Sequence, residues 1–325
     1  MTRKLDCPDE AGEIIREGGI VAFPTETVFG LGVDATNERA IQKLYAAKGR
    51  PGDNPLIVHV DNPENWRQAA AELTSIAKTL LDAFSPGPIT VVLPKGESIS
   101  SLVTAGLDTV GLRIPDHADA LQLLKAAQVP VAAPSANLSG RPSATTWQAV
   151  VEDLDQRIDA VLCRDVPSIG IESTVVDCCG DSPVILRPGA ISIEQIRDHF
   201  PNAIDFESRQ KQEPGDDLPA VNSPGVLHPH YQPAAKVELI DFSKVIGDFI
   251  MADNAAYCGL TDWDGMDKLA FRRLFETCES YASGFYEFLR QADRKNISVI
   301  YVEQAPGQGI GKALLDRQQR AAGLK

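Results

Sequence analysis

The sequence predicts an α/β protein with two units: a large one built on a mixed sheet with helices, and a smaller α/β unit after a linker. Strand and helix signals alternate through roughly the first 200 residues, which is the pattern of an α/β fold. Several successive strands in this stretch have no helix between them. The sheet should therefore contain antiparallel as well as parallel pairs, because parallel neighbours need a long crossover connection.

The first unit is predicted to hold six helices and eight strands. The helices cover residues 9–17, 37–48, 72–84, 117–127, 146–154 and 193–199, and the strands cover 20–23, 56–60, 90–93, 110–114, 129–132, 160–162, 173–177 and 184–186. In the second helix, Ile41, Leu44 and Tyr45 recur at helical spacing, and Asn37 can cap the first turn. This helix should bury one face.

A linker is predicted after the first unit from its composition. Residues 201–219 hold almost no large apolar side chains and include a polar run from Glu207 to Asp217, which is typical of a segment without a core of its own. The resulting division is residues 1–204 for the first unit, 205–233 for the linker and 234–325 for the second unit.

The second unit repeats the alternation on a smaller scale. Strands are predicted at 237–240, 255–260 and 297–301, a long helix at 267–292 and a closing helix at 311–322. One face of the long helix is apolar and is formed by Leu274, Cys278, Tyr281, Phe285 and Phe288. We interpret this stripe as core, because its four-three-four-three spacing keeps the side chains on one side of a helix.

Charge and composition argue against several classes of protein. The formal net charge is −14, and extended contact with a nucleic-acid backbone needs clustered lysine and arginine. No apolar run is long enough to span a bilayer, and the N-terminus lacks the apolar core of a secretory signal. We therefore expect a cytoplasmic protein with no membrane partner. The six cysteines lack zinc-ligand spacing, so we expect no protein metal site.

The most informative segment is Phe23-Pro24-Thr25-Glu26-Thr27-Val28-Phe29-Gly30-Leu31-Gly32. Proline stops the preceding strand, so two hydroxyls and a carboxylate follow a strand end, where open α/β sheets bind ligands. If the segment is extended, Glu26 points away from Thr25 and Thr27 and orders the turn. About twenty residues later, Lys48-Gly49-Arg50 places two cations on a turn, which suits an anionic ligand.

Five further motifs follow in order along the chain. They are Ser85-Pro86-Gly87-Pro88-Ile89-Thr90, Thr109-Val110-Gly111-Leu112-Arg113-Ile114-Pro115, Ala133-Pro134-Ser135-Ala136-Asn137-Leu138-Ser139-Gly140, Glu172-Ser173-Thr174-Val175-Val176-Asp177 and Leu186-Arg187-Pro188-Gly189. With these motifs the chain resembles threonylcarbamoyl-AMP synthases of the YrdC type, in their long two-domain form. The motifs span about residues 10–200, and a weaker match extends to the C-terminus.

The resemblance implies a YrdC-like catalytic domain on a twisted, open mixed sheet, an active-site lid in the linker and a smaller, Rossmann-like α/β domain at the C-terminus. It also implies a nucleotidyltransferase that forms threonylcarbamoyl-AMP and pyrophosphate from L-threonine, bicarbonate and ATP. The product would pass to separate machinery that makes threonylcarbamoyl-adenosine in tRNA, so the chain itself is not expected to bind nucleic acid. Mg²⁺ is expected with ATP, held mainly by phosphates and water.

The resemblance also assigns roles to residues at matching positions. The catalytic cations would be Lys48 and Arg50. Threonine would be bound by Thr27, His59, Arg113, Ala133 and Ser173, and ATP by Arg50, Asn54, Thr109, Ser135, Ser143, Arg187 and Ser223. Thr25, Asn137 and Tyr231 would complete the cleft. In this scheme Arg113 holds the threonine carboxylate, Lys48 bridges phosphate and carbamate, and no side chain is a covalent nucleophile. For Asn137, ligand contact and turn formation stay equally open.

The linker carries part of the family pattern. Ser223-Pro224-Gly225 and His230-Tyr231-Gln232-Pro233 match it. Many family members have Met-Lys-Tyr-Arg between these motifs, where this chain has Val226-Leu227-His228-Pro229. A protonated His228 could replace the missing cation, and a packing or solvated histidine is the alternative.

Two other functions stay open at this stage. The first unit could be an RNA-binding module of the same fold, although the negative charge and the lack of interleaved basic and aromatic residues argue against it. It could also be a carbamoyltransferase, since similar domains occur in hydrogenase-maturation proteins. Those proteins carry acylphosphatase and zinc-finger modules, which are not found in these 325 residues.

Overall fold

Eleven strands of the first unit form one mixed sheet in the computed structural model, which describes residues 1–164, 168–212, 230–242, 252–263 and 266–324. The strands are β1 (Arg3–Leu5), β2 (Val21–Phe23), β3 (Gly30–Asp34), β4 (Ile57–His59), β5 (Ile89–Pro94), β6 (Thr109–Arg113), β7 (Val131–Ala132), β8 (Ala160–Leu162), β9 (Thr174–Asp177), β10 (Val184–Arg187) and β11 (Ile204–Asp205). Their order across the sheet is β1-β8-β2-β3-β7-β4-β6-β5-β9-β10-β11. Parallel pairs such as β4/β6 alternate with antiparallel pairs such as β5/β6, which confirms the predicted mixed sheet.

The helices of the first unit lie close to their predicted positions. They are α1 (Pro8–Arg16), α2 (Glu38–Lys48), α3 (Ser75–Phe84), α4 (Ala118–Ala127), α5 (Trp147–Leu154), α6 (Ile193–Arg197) and α7 (Phe206–Gln212), with a 3₁₀ turn at Pro63–Gln68. Asn37 caps α2 as expected, since its side chain accepts hydrogen bonds from the backbone N–H groups of Arg39 and Ala40. In the described ranges, no helix is both long enough and apolar enough to cross a membrane.

The second unit is a four-stranded parallel sheet with two described helices. Its elements are β12 (Lys236–Ile240), β13 (Ala255–Gly259), a 3₁₀ turn (Met266–Lys268), β14 (Phe271–Leu274), α8 (Cys278–Arg294), β15 (Val299–Glu303) and α9 (Ile310–Ala321). The strand order is β12-β15-β13-β14. The core of this unit is shared with the first unit, because Val28 and Ile171 pack in the same apolar cluster as Tyr286 and Phe285.

The predicted helix at 267–292 is wrong over its first third. Residues 271–274 form the edge strand β14 instead, paired with β13. Thr277 then caps α8 in a reciprocal pair of hydrogen bonds with Ser280, so the helix begins at Cys278. Tyr281, Phe285 and Phe288 are buried as expected, whereas Leu274 lies on the exposed edge strand and belongs to no helical stripe.

Part of the predicted linker is regular structure. Ile204 pairs with Val184, which makes β11 the last strand of the large sheet, and α7 follows directly. The carboxylate of Asp205 accepts a hydrogen bond from the backbone N–H of Ser208 and forms an ion pair with Lys312 of α9. The polar composition of this segment did not indicate these elements, because α7 is short and polar. The segments 213–229 lie outside the described residues.

Strand β3 was not predicted, because two of its first three residues are glycines, which weaken strand propensity. Packing explains why residue 32 is a glycine. A Cβ atom there would lie 2.8 Å from the Phe23 ring and 2.9 Å from the Val131 side chain. Glycine therefore allows β3 to fit against these two apolar side chains on the neighbouring strands β2 and β7.

Candidate active site

A single cleft in the first unit collects most of the residues that the motifs single out. Its walls include Thr25, Thr27, Arg50, His59, Arg113, Ala133, Ser135, Ser173, Arg187 and Tyr231. Strands β4 and β6 run parallel with His59 directly opposite Arg113. Thr27 follows β2, which reaches the same region of the sheet through its pairing with β3. The strand ends thus bring distant segments together, as expected for ligand sites in open α/β sheets.

The threonine-rich turn forms a connected polar group with Arg113. The hydroxyls of Thr25 and Thr27 lie 2.8 Å apart, and Arg113 donates a hydrogen bond to Thr27 Oγ1 at 2.9 Å. Arg113 also forms an ion pair with Glu26 at 2.7 Å. The expectation that Glu26 points away from this region is therefore wrong, because the chain bends at residues 26–28 instead of continuing as a strand.

Two wall residues of the cleft, and a third residue behind the walls, carry buried polar atoms that lack a hydrogen-bond partner among the described residues. These atoms are Arg113 Nε and His59 Nδ1 on the walls and Asn54 Oδ1 behind them. A buried polar atom without a partner costs free energy, so such atoms in a folded protein call for an explanation. A bound polar ligand would supply the missing partners. Burial and the nearby Arg113 also lower the pKa of His59 to about 3, so this imidazole is neutral at pH 7.

Besides Arg113, two arginines supply positive charge on the cleft walls. The left-handed Gly49 ends α2 and turns the chain towards Arg50. Arg50 donates to the carbonyls of Asn54 and Pro55, and burial lowers its pKa to about 10, so it stays charged. Arg187 at the end of β10 donates to the carbonyl and the hydroxyl of Ser173.

Lys48 does not line the cleft. Its ammonium is buried and donates to the carbonyls of Ser135 and Asn137. Burial, together with Arg50, lowers the pKa of Lys48 well below its ordinary value. Lys48 therefore braces the 135–137 loop, and its predicted contact with phosphate and carbamate stays a prediction.

The remaining predicted residues lie around the cleft or outside the described ranges. Asn137 donates to the carbonyls of Leu138 and Arg141, which is the turn-forming role. Thr109 begins β6, at the end of the strand opposite Arg113, and is not a wall residue. Ser143 and Asn54 are buried just behind the walls. Ser223 and His228 lie outside the described residues.

Residues of the linker and of the second unit complete the cleft. Tyr231 of the linker lines the cleft as predicted, and it stacks on Tyr286 of α8, which the motifs had not indicated, with ring centroids 5.1 Å apart. His230 also lines the cleft, and its Nε2 lies 3.4 Å from Asn54 Nδ2. Glu172, which had no assigned role, is held by Arg317 of α9 at 2.8 Å. No local pattern marks Tyr286 or Arg317, because their contacts depend on how the two units pack.

Comparisons with known proteins agree along the whole chain. The Sua5_yciO_yrdC family model, described as telomere recombination, matches residues 13–189, and the model described as threonylcarbamoyl-AMP synthase, C-terminal domain, matches residues 191–323. The threonylcarbamoyl-AMP synthase of Bacillus subtilis is 39% identical, with 97% of this chain and 92% of the relative covered. That of Pyrococcus abyssi is 36% identical, with 97% and 94% covered.

Solved structures give the same result. The chain is similar to P. abyssi Sua5 complexed with L-threonine, with a TM-score of 0.86, 34% identity, and coverage of 100% of this chain and 97% of that one. E. coli YciO, at 20% identity and a TM-score of 0.52, covers 57% of this chain and 95% of its own length, and shows the fold of the first unit alone. The ordered motifs, the cleft and both family matches lead to one conclusion: the chain belongs to the threonylcarbamoyl-AMP synthase family, in its two-domain form.

Proposed function

We propose that this cleft forms threonylcarbamoyl-AMP and pyrophosphate from L-threonine, bicarbonate and ATP. One observation carries the proposal: His59 and Arg113, each with an unpartnered buried nitrogen, line the same cleft as the cations Arg50 and Arg187. The unpartnered polar atoms suit the polar groups of an amino acid, and the two cations suit a triphosphate. The solved relative with bound L-threonine supports the amino-acid half of the proposal.

The chemistry needs two bond-forming steps. The threonine amine attacks bicarbonate and water leaves, which gives a carbamate. A carbamate oxygen then attacks the α-phosphate of ATP, and pyrophosphate leaves. Neither step requires a covalent bond to the protein, so the residues act by positioning the reactants and by stabilising charge.

The threonine end of the cleft would recognise a carboxylate and a hydroxyl. Arg113 already contacts Glu26 and Thr27, but its Nε remains available to a carboxylate oxygen. The neutral His59 offers its free Nδ1 to the threonine hydroxyl. A hydroxyl partner of this kind rejects an isosteric apolar side chain, because the buried nitrogen is then left unpaired.

The phosphate end would use Arg50 and Arg187, whose guanidinium groups suit phosphate oxygens. Mg²⁺ remains a prediction. Among the described residues, no group of three histidine, cysteine or acidic side chains comes together as a metal site, and the nearby carboxylates of Glu26 and Glu172 are engaged by arginines. The phosphates and water would therefore supply the ligands for the ion, which would neutralise phosphate charge.

The cleft would widen to admit ATP. Its volume is about 60 Å³, below the roughly 300–1,000 Å³ of typical small-molecule pockets. His230 and Tyr231 form part of its walls. We infer that these two residues move outward when ATP enters. A cytoplasmic location and delivery of the product to the tRNA-modifying machinery belong to the same proposal.

Omission experiments test the function. We expect pyrophosphate release only when ATP, bicarbonate and L-threonine are all present. Serine lacks one methyl group, worth on the order of 1 kcal/mol, so it should react slowly, and valine should react least. Equal rates with all three amino acids, or release without any amino acid, would contradict the proposal.

A further inference from the structure

A buried charge network directly behind the cleft connects the two units. Glu172 is a wall residue that precedes Ser173, and its carboxylate accepts three donors. Arg317 Nε lies 2.8 Å from Oε2, the Tyr286 hydroxyl 2.9 Å from Oε2, and the Ser143 hydroxyl 2.6 Å from Oε1. Two of these donors belong to the second unit, one on α8 and one on α9.

Arg317 links the two chain segments that form this wall. Besides Glu172, its guanidinium donates to the carbonyl of Pro188 at 3.0 Å and to Asp316 at 2.8 Å. Pro188 follows Arg187, and Glu172 precedes Ser173. Arg317 is fully buried, so these hydrogen bonds form away from solvent and fix the position of each segment.

The charges on this wall depend on Arg317. Glu172 carries a negative charge beside the positive Arg187: burial raises the pKa of Glu172, but Arg317 and Arg187 outweigh that effect and bring it to about 2. Asp316 is held by both Arg317 and Arg320, so with Arg317 present the charges of Glu172, Arg187, Arg317, Asp316 and Arg320 sum to +1, which favours an anionic ligand. Without Arg317 the net charge of this group is zero, and Arg187 is left as the guanidinium beside the buried Glu172 carboxylate.

A second contact from α8 holds the adjacent loop. Arg290 lies one helical turn after Tyr286 and donates to both oxygens of Asp153, at 3.2 and 2.8 Å, and to the carbonyl of Pro142 at 2.6 Å. Asp153 in turn accepts the backbone N–H of Leu138. The same face of α8 thus contacts the wall through Tyr286 and the 138–142 loop through Arg290.

We propose that the second unit takes part in nucleotide binding: Arg317 and Tyr286 are positioning residues that hold Glu172 and thereby keep the Arg187 guanidinium in place for the triphosphate. Neither residue touches the reactants. Arg317 satisfies the carboxylate, so Arg187 keeps its hydrogen bonds to Ser173. The inference rests on the proposed function only for the identity of the anionic ligand as ATP.

Single substitutions test the proposal by their separate effects on KM for ATP and KM for threonine. Arg317→Met leaves Glu172 buried without its main counter-charge, so we expect KM for ATP to rise at least about tenfold. KM for threonine should change by less than about threefold, because His59 and Arg113 are untouched and, of the proposed threonine-binding residues, Ser173 alone is hydrogen-bonded to Arg187 among the described contacts. Tyr286→Phe removes one hydroxyl and keeps the ring on Tyr231, and should raise KM for ATP by roughly threefold or more.

The control is Arg294→Met, on the same helix. Arg294 also forms an ion pair across the two units, with Glu152 at 2.9 Å, but it is partly exposed and far along α8 from Glu172. If Arg317 serves only to hold the units together, both arginine variants should differ from the wild type in thermal stability alone. We expect Arg294→Met to keep KM for ATP within twofold of the wild type.

A double variant tests the charge argument. In Glu172→Gln/Arg317→Met the uncompensated carboxylate is gone, so KM for ATP should return at least partly towards the wild-type value. A double variant no better than Arg317→Met would overturn the charge argument. If Arg317→Met fails to fold, KM for ATP is measured in Tyr286→Phe instead. A wild-type KM for ATP in Tyr286→Phe would overturn the proposal.

Direct binding separates this inference from the proposed function. Calorimetric titration with ATP and Mg²⁺, without threonine or bicarbonate, reads nucleotide affinity even if no product forms. Weaker ATP binding by Tyr286→Phe and Arg317→Met supports the positioning role whatever the reaction is. Unchanged ATP binding in both variants, with an active wild type, would overturn the inference and leave the proposed function intact.

Discussion

Each side chain at this cleft has its chemistry set by what surrounds it. Arg50 remains charged despite burial, His59 is neutral, and Glu172 is ionised because arginines face it. The motifs predicted which residue types would meet, and the structure brings most of them to one cleft. The motifs did not predict that Glu26 pairs with Arg113 or that Lys48 faces backbone carbonyls, because both contacts depend on the bends of the chain.

Arg50 provides the sharpest test of a single cleft residue. Arg50→Ala should lower the rate of threonine-dependent pyrophosphate release at least about 100-fold, since a positioned cation stabilises charge that develops on phosphate. Steady-state kinetics with a coupled pyrophosphate assay would measure this. Arg39→Ala is the control, because Arg39 is exposed on the first turn of α2. Near-normal turnover in Arg50→Ala would remove this residue from the active site.

The buried His59 and the partly buried His230 predict a specific loss of stability in acid. Burial, with Arg113 beside His59 and Arg50 beside His230, lowers the pKa of each imidazole to about 3. Unfolded histidine titrates near 6.5, so between about pH 6.5 and 3 the unfolded chain binds more protons and stability falls as the pH falls. From pH 7.5 to 5.5 we expect the free energy of unfolding to drop by roughly 1 kcal/mol per buried histidine.

Urea titration at the two pH values checks this. His59→Asn should reduce the pH dependence, whereas substitution of the exposed His199 by asparagine should leave it as in the wild type. If His59→Asn retains the full wild-type pH dependence, His59 is not buried in its neutral form.

Among the secondary-structure elements, sequence prediction succeeded where patterns are local. Periodic apolar residues and an Asn37 cap located α2, and short apolar runs located most strands. It failed for β3, whose glycines resemble a turn, and for β14, whose Leu274 happens to continue the spacing of the α8 stripe. In both cases pairing with other strands decides the structure, since β3 lies between β2 and β7 and β14 pairs with β13, and this pairing leaves no local pattern.

The tight packing of β3 can be tested directly. Gly32→Ala places a Cβ within 3 Å of the Phe23 ring and the Val131 side chain, and overpacking of this kind typically costs about 1–3 kcal/mol. Chemical denaturation would measure the change. Gly180→Ala is the matched control, because no atom lies within 4 Å of its added Cβ. Equal stability of the two variants would show that β2, β3 and β7 are not packed as described.

At the scale of the whole molecule, the two units form one structure. They share an apolar cluster, and Arg290 and Arg317 of the second unit are buried against Asp153 and Glu172 of the first. Removing one partner of a buried ion pair is costly. We therefore expect a single cooperative thermal transition by calorimetry, and a lower Tm in Arg290→Met. Two separate transitions, with only the second shifted by Arg290→Met, would contradict this coupling.

The central claim is that the cleft joins bicarbonate to threonine and then joins the resulting carbamate to the adenylyl group of ATP. The most direct measurement incubates the protein with ATP, Mg²⁺, L-threonine and isotopically labelled bicarbonate, followed by mass spectrometry of the nucleotides. The account predicts an adenylate that contains both threonine and the labelled carbon, formed in step with pyrophosphate. An adenylate without the label, or labelled product in the absence of threonine, would contradict it.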